Sequence, residues 1–155
     1  MNIKNFDNIF ENFSGKIHFN YSIKKLNWFN IGGHTKIYFK PDTLQDLIEF
    51  IKVCKNEKKF FVLGAGSNVL FKDSAYEGAI IKLSKNFSRI SLLNENTIIA
   101  GSGVLDKSIS EFAAENNLGG FEFLSCIPGT IGGGIRMNSG CFGSEFKDIL
   151  ISVQA

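Results

Sequence analysis

Two glycine-rich stretches stand about sixty residues apart, Gly64-Ala65-Gly66-Ser67-Asn68 and Ile127-Pro128-Gly129-Thr130-Ile131-Gly132-Gly133-Gly134, and each follows a run that reads as a buried strand. Glycine tolerates positive φ and close approach to a ligand, so successive backbone N–H groups can converge on phosphate oxygens. Between Pro128 and Gly143 six glycines alternate with Thr130, Asn138, Ser139 and Ser144 in what reads as one irregular stretch. Long irregular segments in compact domains are often functional. Arg136 is the only cation in the two loops, so a bound pyrophosphate would be held mainly by amide dipoles and hydroxyls. Two such loops suggest backbone cradles on two sides of one large phosphate-bearing cofactor.

Two better-known phosphate binders do not fit. Gly64-Ala65-Gly66 opens a dinucleotide fingerprint, but its third glycine position is Val69, and Phe71 to Gly78 lacks a sustained helical apolar stripe. Neither loop continues into Gly-Lys-Ser or Gly-Lys-Thr, which excludes a Walker A loop. A single Gly-x-Gly alone is more often a tight turn between strands than a site, and it is the second loop that weakens that reading. Cys54, Cys126 and Cys141 show no metal-ligand spacing, and His18 and His34 have no partner at ligand spacing. Cys141 reads as a small buried thiol without a redox role, because no second cysteine is near it in sequence. His34 reads as a strand-edge residue.

The elements that position the loops alternate. Lys36 to Phe39 reads as a strand, and Pro41-Asp42-Thr43 opens a helix with Leu44, Leu47, Ile48, Ile51 and Val53 or Cys54 on one face. Asn56 to Lys59 closes it. Phe60-Phe61-Val62-Leu63 is a continuous apolar run, the pattern of a strand buried on both faces. Ala79-Ile80-Ile81 and Ile90 to Leu93 read as short strands, the latter joined to Thr97–Ala100 by the Asn94-Glu95-Asn96 turn as a hairpin. A further helix starts through Asp106 as N-cap, turns Ile109, Phe112 and Ala113 inward, and stops at Gly119-Gly120. The layout predicts an α+β fold of two lobes meeting near residue 84: an N-terminal segment 1–29, a first lobe 30–83 and a second lobe 84–155.

Composition bounds the function. A chain of 155 residues can bury roughly 70% of its unfolded surface, enough for a core without disulfides. The 44% hydrophobic and 21% charged fractions are those of a globular chain, and the 16 Phe read as core filling. A formal charge of +2 without a basic stripe argues against nucleic acid. Ile3, Phe6, Phe10 and Phe13 fall at helical spacing, but Lys4, Asp7 and Glu11 interrupt any signal-peptide core, and no apolar run is long enough to span a bilayer. Three cysteines leave one unpaired under any disulfide scheme, so a reducing cytoplasm is the expected location.

Three motifs in order carry a family resemblance: Asn27-Trp28-Phe29-Asn30-Ile31-Gly32-Gly33, Leu63-Gly64-Ala65-Gly66-Ser67-Asn68-Val69-Leu70, and Ile127 to Gly133 followed by Arg136-Met137-Asn138 and Gly140. From about Leu26 onward the chain resembles the flavin domain of the UDP-N-acetylenolpyruvoylglucosamine reductases. The resemblance implies the two-lobed α+β FAD-binding fold of the vanillyl-alcohol oxidase type. By motif matching, Gly64, Ala65, Gly66, Ser67 and Asn68 would hold the pyrophosphate, with Val62, Leu63 and Val69 nearby. Pro128, Gly129, Thr130, Gly132, Gly133, Asn138 and Gly140 would complete the flavin site. Neither histidine lies in an Arg-x-x-His loop of the kind that attaches flavin covalently, so FAD is expected to be noncovalent.

The family oxidises NADPH through FAD and reduces the enolpyruvyl ether of a UDP sugar to UDP-N-acetylmuramate for peptidoglycan, as a monomer at full length. Its acid and charge-stabilising residues, an arginine, a serine and a glutamate, lie beyond the second loop. The resemblance therefore implies that the second lobe is incomplete at Ala155, that the substrate domain is absent, and that this chain has no catalytic residue of its own. Two departures stand out. Trp28 replaces a common threonine and reads as a packing residue, with a flavin-adjacent aromatic as the alternative, and Phe142 replaces a common tyrosine. Arg136 reads either as a phosphate neutraliser or as a partner of Glu145 or Asp148. Two other functions stay open: a small FAD- or nucleotide-binding module without chemistry, and an alcohol or sugar oxidase of the same flavin superfamily.

Overall fold

The computed structural model describes residues 13–55 and 59–154. The proposed helical spacing of Ile3, Phe6 and Phe10, and the helix closure around Asn56, lie outside these. The chain divides into two compact units, Met1–Asn86 and Phe87–Ala155.

The first unit is a four-stranded mixed sheet with one long helix. Its strands are β1 (Lys16–Ser22), β2 (His34–Lys40), β3 (Phe60–Val62) and β4 (Tyr76–Ile81), in the order β1-β2-β4-β3. β1 runs antiparallel to β2, while β2, β4 and β3 are parallel. The expected strand-helix-strand unit is present as β2, α1 (Leu44–Lys55) and β3, with β4 inserted between its two strands.

Period-2 patterning explains both faces of this sheet. Ile37, Phe39, Ala79 and Ile81 point one way, into a core with Phe50 and Cys54 of α1. Tyr38 and Ile80 point the other way, to Ile23, Leu26 and Leu63. The strands buried on both faces are therefore β2 and β4. β3, expected to be so buried, is the edge, with Phe61 41% and Val62 53% exposed. The buried stripe of α1 is also rotated from the expected one: Leu47, Phe50, Ile51 and Cys54 face the core, whereas Leu44 and Ile48 are exposed. Thr43 and Asp46 set its start, each backbone N–H donating to the other's side-chain oxygen, a reciprocal capping box.

The second unit opens with the predicted hairpin, β5 (Ile90–Asn94) and β6 (Thr97–Ala100), whose turn is tied by the Asn96 N–H on Asn94 Oδ1. α2 (Asp106–Glu115) follows, then a 3-10 helix (Glu122–Cys126), α3 (Ile131–Met137), a short hairpin of β7 (Gly140–Cys141) and β8 (Ser144–Glu145), and α4 (Phe146–Ile149). Val104, Ile109, Phe123, Leu124, Ile131 and Phe146 form its core.

Four local readings are corrected here. The segment before the second loop is a 3-10 helix and not a strand: Phe123 and Leu124, adjacent in sequence, both turn inward, which strand alternation forbids. The second loop is not irregular throughout, since α3 occupies its centre. Asp106 is the first helical residue and Leu105 the N-cap. α2 stops before Gly119: Asn117 takes φ 57°, and the N–H groups of Asn117 and Leu118 bond the carbonyls of Ala114 and Ala113, a Schellman closure with asparagine in the left-handed position.

Candidate functional site

In the first unit, β3 delivers the chain to the first loop. Leu63, just past the strand, is buried and donates its N–H to the Ile81 carbonyl at 2.8 Å. Gly66 then takes φ +77°, and a Cβ there would lie 2.1 Å from the Leu26 carbonyl oxygen. That glycine is required by a neighbouring stretch of backbone. The neighbour is the Asn27-Trp28 turn, whose Trp28 N–H donates to the Gly66 carbonyl at 3.1 Å. Buried Asn27 fixes the turn, its Nδ2 donating to the Ile31 carbonyl at 2.8 Å and its Oδ1 accepting from the Phe29 N–H at 3.1 Å.

With its carbonyls so engaged, the loop presents donors. Among the described residues, no acceptor meets the backbone N–H of Ala65, Ser67 or Asn68. Ser67 and Val69 are half-buried and Asn68 is exposed. The Lys82 ammonium joins them, donating to the Gly64 carbonyl at 3.0 Å. Burial, with Lys40 nearby, lowers its pKa below the usual lysine value. Sequence reasoning missed Lys82, which is distant along the chain but next to the loop through the parallel pairing of β3 with β4. Three unpaired amides and a cation are a donor set suited to a pyrophosphate.

The second loop uses its amides differently. The N–H groups of Ile131 and Gly132 donate to the carbonyls of Val104 and Ser102 at 2.8 and 2.9 Å, and that of Gly134 to Thr130 at 2.7 Å. Its glycines answer to packing. A Cβ on Gly134 would meet the Phe146 ring at 2.2 Å, one on Gly132 the Ser102 Cβ at 2.9 Å, and one on Gly129 the Asp106 Oδ2 at 2.4 Å. Gly133 differs, with only Thr130 Oγ1 at 3.3 Å. The N–H groups of Gly129, Thr130 and Gly133 find no acceptor among the described residues.

Asn138 ends α3 in the left-handed region, and its side chain is spent internally: Nδ2 donates to Glu145 Oε2 at 2.8 Å and Oδ1 accepts the Lys147 N–H at 2.9 Å. Gly140 pairs with Glu145 across the β7 and β8 hairpin, and Pro128 is exposed. Arg136 is exposed and forms no ion pair with Glu145 or Asp148; Glu145 pairs with Lys147 instead.

Beneath Gly129 lies Asp106, fully buried, with neither carboxyl oxygen hydrogen-bonded among the described residues. Burial pushes its pKa up to about 6. Three further readings change. Trp28 is not a packing residue, being 62% exposed, and Phe142 is 88% exposed. Cys141 is half-buried and shares a depression of about 340 Å³ with Cys126. His34 begins β2, an interior strand, and so sits at a strand end rather than a sheet edge. The described residues contain no cluster of metal-ligating side chains and no helix long and apolar enough to cross a membrane.

A family profile described as "FAD binding domain" matches residues 35–155, a span that takes in both loops. The chain belongs to this FAD-binding family. The UDP-N-acetylenolpyruvoylglucosamine reductase of Pelagibacter ubique is 61% identical over 142 residues, 92% of this chain and 47% of that protein. The reductase of the same name from Rickettsia canadensis is 44% identical over 87% of this chain and 46% of its own length. The crystal structure of the enzyme from Thermus caldophilus aligns with a TM-score of 0.65 at 25% identity, covering 86% of this chain and 45% of that one. The chain thus spans about half the length of the relatives it matches. The FAD-binding fold is α+β, as the sequence implied.

Proposed function

We propose that this chain is the FAD-holding part of an NADPH-dependent reductase that converts UDP-N-acetylglucosamine enolpyruvate to UDP-N-acetylmuramate for peptidoglycan. The observation that carries the reading is the first loop, where the unpaired N–H groups of Ala65, Ser67 and Asn68 stand with the Lys82 ammonium. In the proposal these groups bind the FAD pyrophosphate noncovalently, with Gly64 and Gly66 shaping the turn and Val62, Leu63 and Val69 flanking it. Gly129, Thr130 and Gly133 offer the second set of donors. Pro128, Gly132, Asn138 and Gly140 hold that loop in place.

FAD, when bound, carries the hydride from NADPH to the enolpyruvyl double bond. The residues of this chain bind and orient the cofactor; the acid that completes the reduction, and the grip on the nucleotide sugar, come from the remainder of a longer protein. The proposal includes cytoplasmic location, action as a monomer, and no nucleic-acid or membrane partner. In it the lobes are 30–83 and 84–155.

The test is to express the chain within its longer reading frame, desalt it and record the visible spectrum. A flavin spectrum, with NADPH oxidation that depends on the enolpyruvyl sugar, is expected. A flavin-free longer protein, or oxidation indifferent to the sugar, would overturn the reading.

A further inference from the structure

Cys126 and Cys141 bracket the second loop: one immediately precedes Ile127 and the other immediately follows Gly140, so every second-loop residue assigned above lies between them. Their separation in sequence hides that both line one depression. The 3-10 helix that ends at Cys126 packs against β7, which ends at Cys141, and both cysteines line one depression of about 340 Å³ together with Ser125, Phe123 and Phe142. Cys126 is exposed, with its Sγ 3.6 Å from Ser125 Oγ, and Cys141 is half-buried against the core of the second unit. The remaining cysteine, Cys54, is buried in the first unit.

We propose that Cys126 and Cys141 are a redox pair that closes as a disulfide across the base of the cofactor loop when the protein meets a peroxide. Exposure makes Cys126 the attacking sulfur. Its thiolate displaces hydroxide from the peroxide and becomes a sulfenic acid. The Cys141 thiol then attacks that sulfur, forms the S–S bond and releases water. Two electrons leave the pair of thiols, and the peroxide is reduced to two waters. In a reducing compartment the pair stays open, and a dithiol reductant reopens it.

The bond would act on the loop. Between the cysteines the chain turns at Gly129, runs through α3 and reverses at Asn138, and it is anchored along its length by the Ser102 and Val104 carbonyls. A cross-link at its two ends restricts the opening of that segment, since a closed loop has fewer open states to reach. Oxidation therefore slows FAD release, a consequence that rests on the cofactor reading of the second loop. The disulfide itself does not.

The experiment treats the purified chain with hydrogen peroxide, unfolds it, alkylates remaining thiols and maps the peptides by mass spectrometry without reduction. A peptide joining Cys126 to Cys141, with Cys54 alkylated, is expected. The joined peptide should vanish in Cys126→Ser and in Cys141→Ser, and the former should also spare Cys141 from oxidation. Overoxidation of Cys126 to sulfinic acid while Cys141 remains alkylatable would overturn the proposal, and so would a cross-link that uses Cys54. In flavin-loaded protein, peroxide should slow the rise of free-flavin fluorescence by roughly three- to tenfold, through restrained local opening, and should have no such effect in Cys141→Ser. A longer protein, reduced, that holds no flavin would sink the cofactor reading and leave the peptide map to decide the thiol pair.

Discussion

The two glycine loops share a composition and differ in what their glycines are for. The first is a turn off an edge strand, with one glycine at positive φ packed against the Leu26 carbonyl and three of its amides left without acceptors among the described residues. The second is built around a helical turn, with amides spent on Ser102 and Val104 and glycines that make room for Phe146, Ser102 and Asp106. A glycine-rich sequence thus marks close approach of backbone, and what approaches can be a ligand or the protein itself. Each loop also leaves three amides without an acceptor among the described residues, Ala65, Ser67 and Asn68 in the first and Gly129, Thr130 and Gly133 in the second, and those are the groups a ligand could meet.

The comparison breaks first at Gly66. Gly66→Ala places a Cβ against a carbonyl oxygen at a φ of +77°, two penalties at one residue. The expected loss is about 2–4 kcal/mol of stability together with FAD retention, read by denaturant melts and by the flavin absorbance left after desalting. A variant that folds as well as the wild type would show that the Asn27-Trp28 turn yields to the loop, and that this contact does not define it.

Within the second loop two adjacent glycines should respond in opposite directions. Gly134→Ala drives a methyl into the Phe146 ring and should cost about 1–3 kcal/mol by overpacking. Gly133→Ala meets only the Thr130 hydroxyl at 3.3 Å, and in a helix alanine gains about 0.5–1 kcal/mol over glycine. Its stability should hold or rise while FAD affinity falls, if Gly133 faces the cofactor. Parallel melts and flavin titrations test this. Unchanged FAD affinity in Gly133→Ala would reduce the second loop to scaffolding.

Much of the scaffold was legible where local chemistry decides it. The β5 and β6 hairpin follows from the Asn94 turn, and α1 from its Thr43 and Asp46 pair, because those signals act over a few residues. What could not be read depends on neighbours distant in sequence. β1 escaped notice because Lys-Ile-His-Phe-Asn-Tyr-Ser is mostly exposed at an edge. β3 looked doubly buried because Phe-Phe-Val-Leu has the composition of an interior strand, while topology sets it at the rim. Lys82 reaches the first loop only through strand pairing, and Cys126 reaches the depression it shares with Cys141 only through the packing of β7.

A third probe is the carboxyl under Gly129. With its pKa raised to about 6 in the folded chain against about 4 when unfolded, Asp106 binds its proton more tightly in the native state. Its contribution is intact below pH 4 and is lost as pH rises through about 6. Asp106→Asn removes the buried charge and should add about 1–3 kcal/mol at pH 7.5 and little at pH 4. Melts across that range check it. A gain that does not depend on pH would mean that the carboxylate finds a donor when it ionises.

The smallest effect on stability is expected at Trp28, and it discriminates most sharply between the loops. Its side chain is 62% exposed while its N–H holds the Gly66 carbonyl, so Trp28→Ala should change stability by no more than about 0.5 kcal/mol. It is also the only tryptophan in the chain, which makes its emission a reporter of the first loop. Without FAD, emission should be that of a solvated indole, altered by Gly66→Ala. On FAD addition it should be quenched in the wild type, with a weakened midpoint in Gly133→Ala. Flavin retained with Trp28 emission unchanged would place the cofactor away from the first loop, and would leave the unpaired amides of Ala65, Ser67 and Asn68 to water.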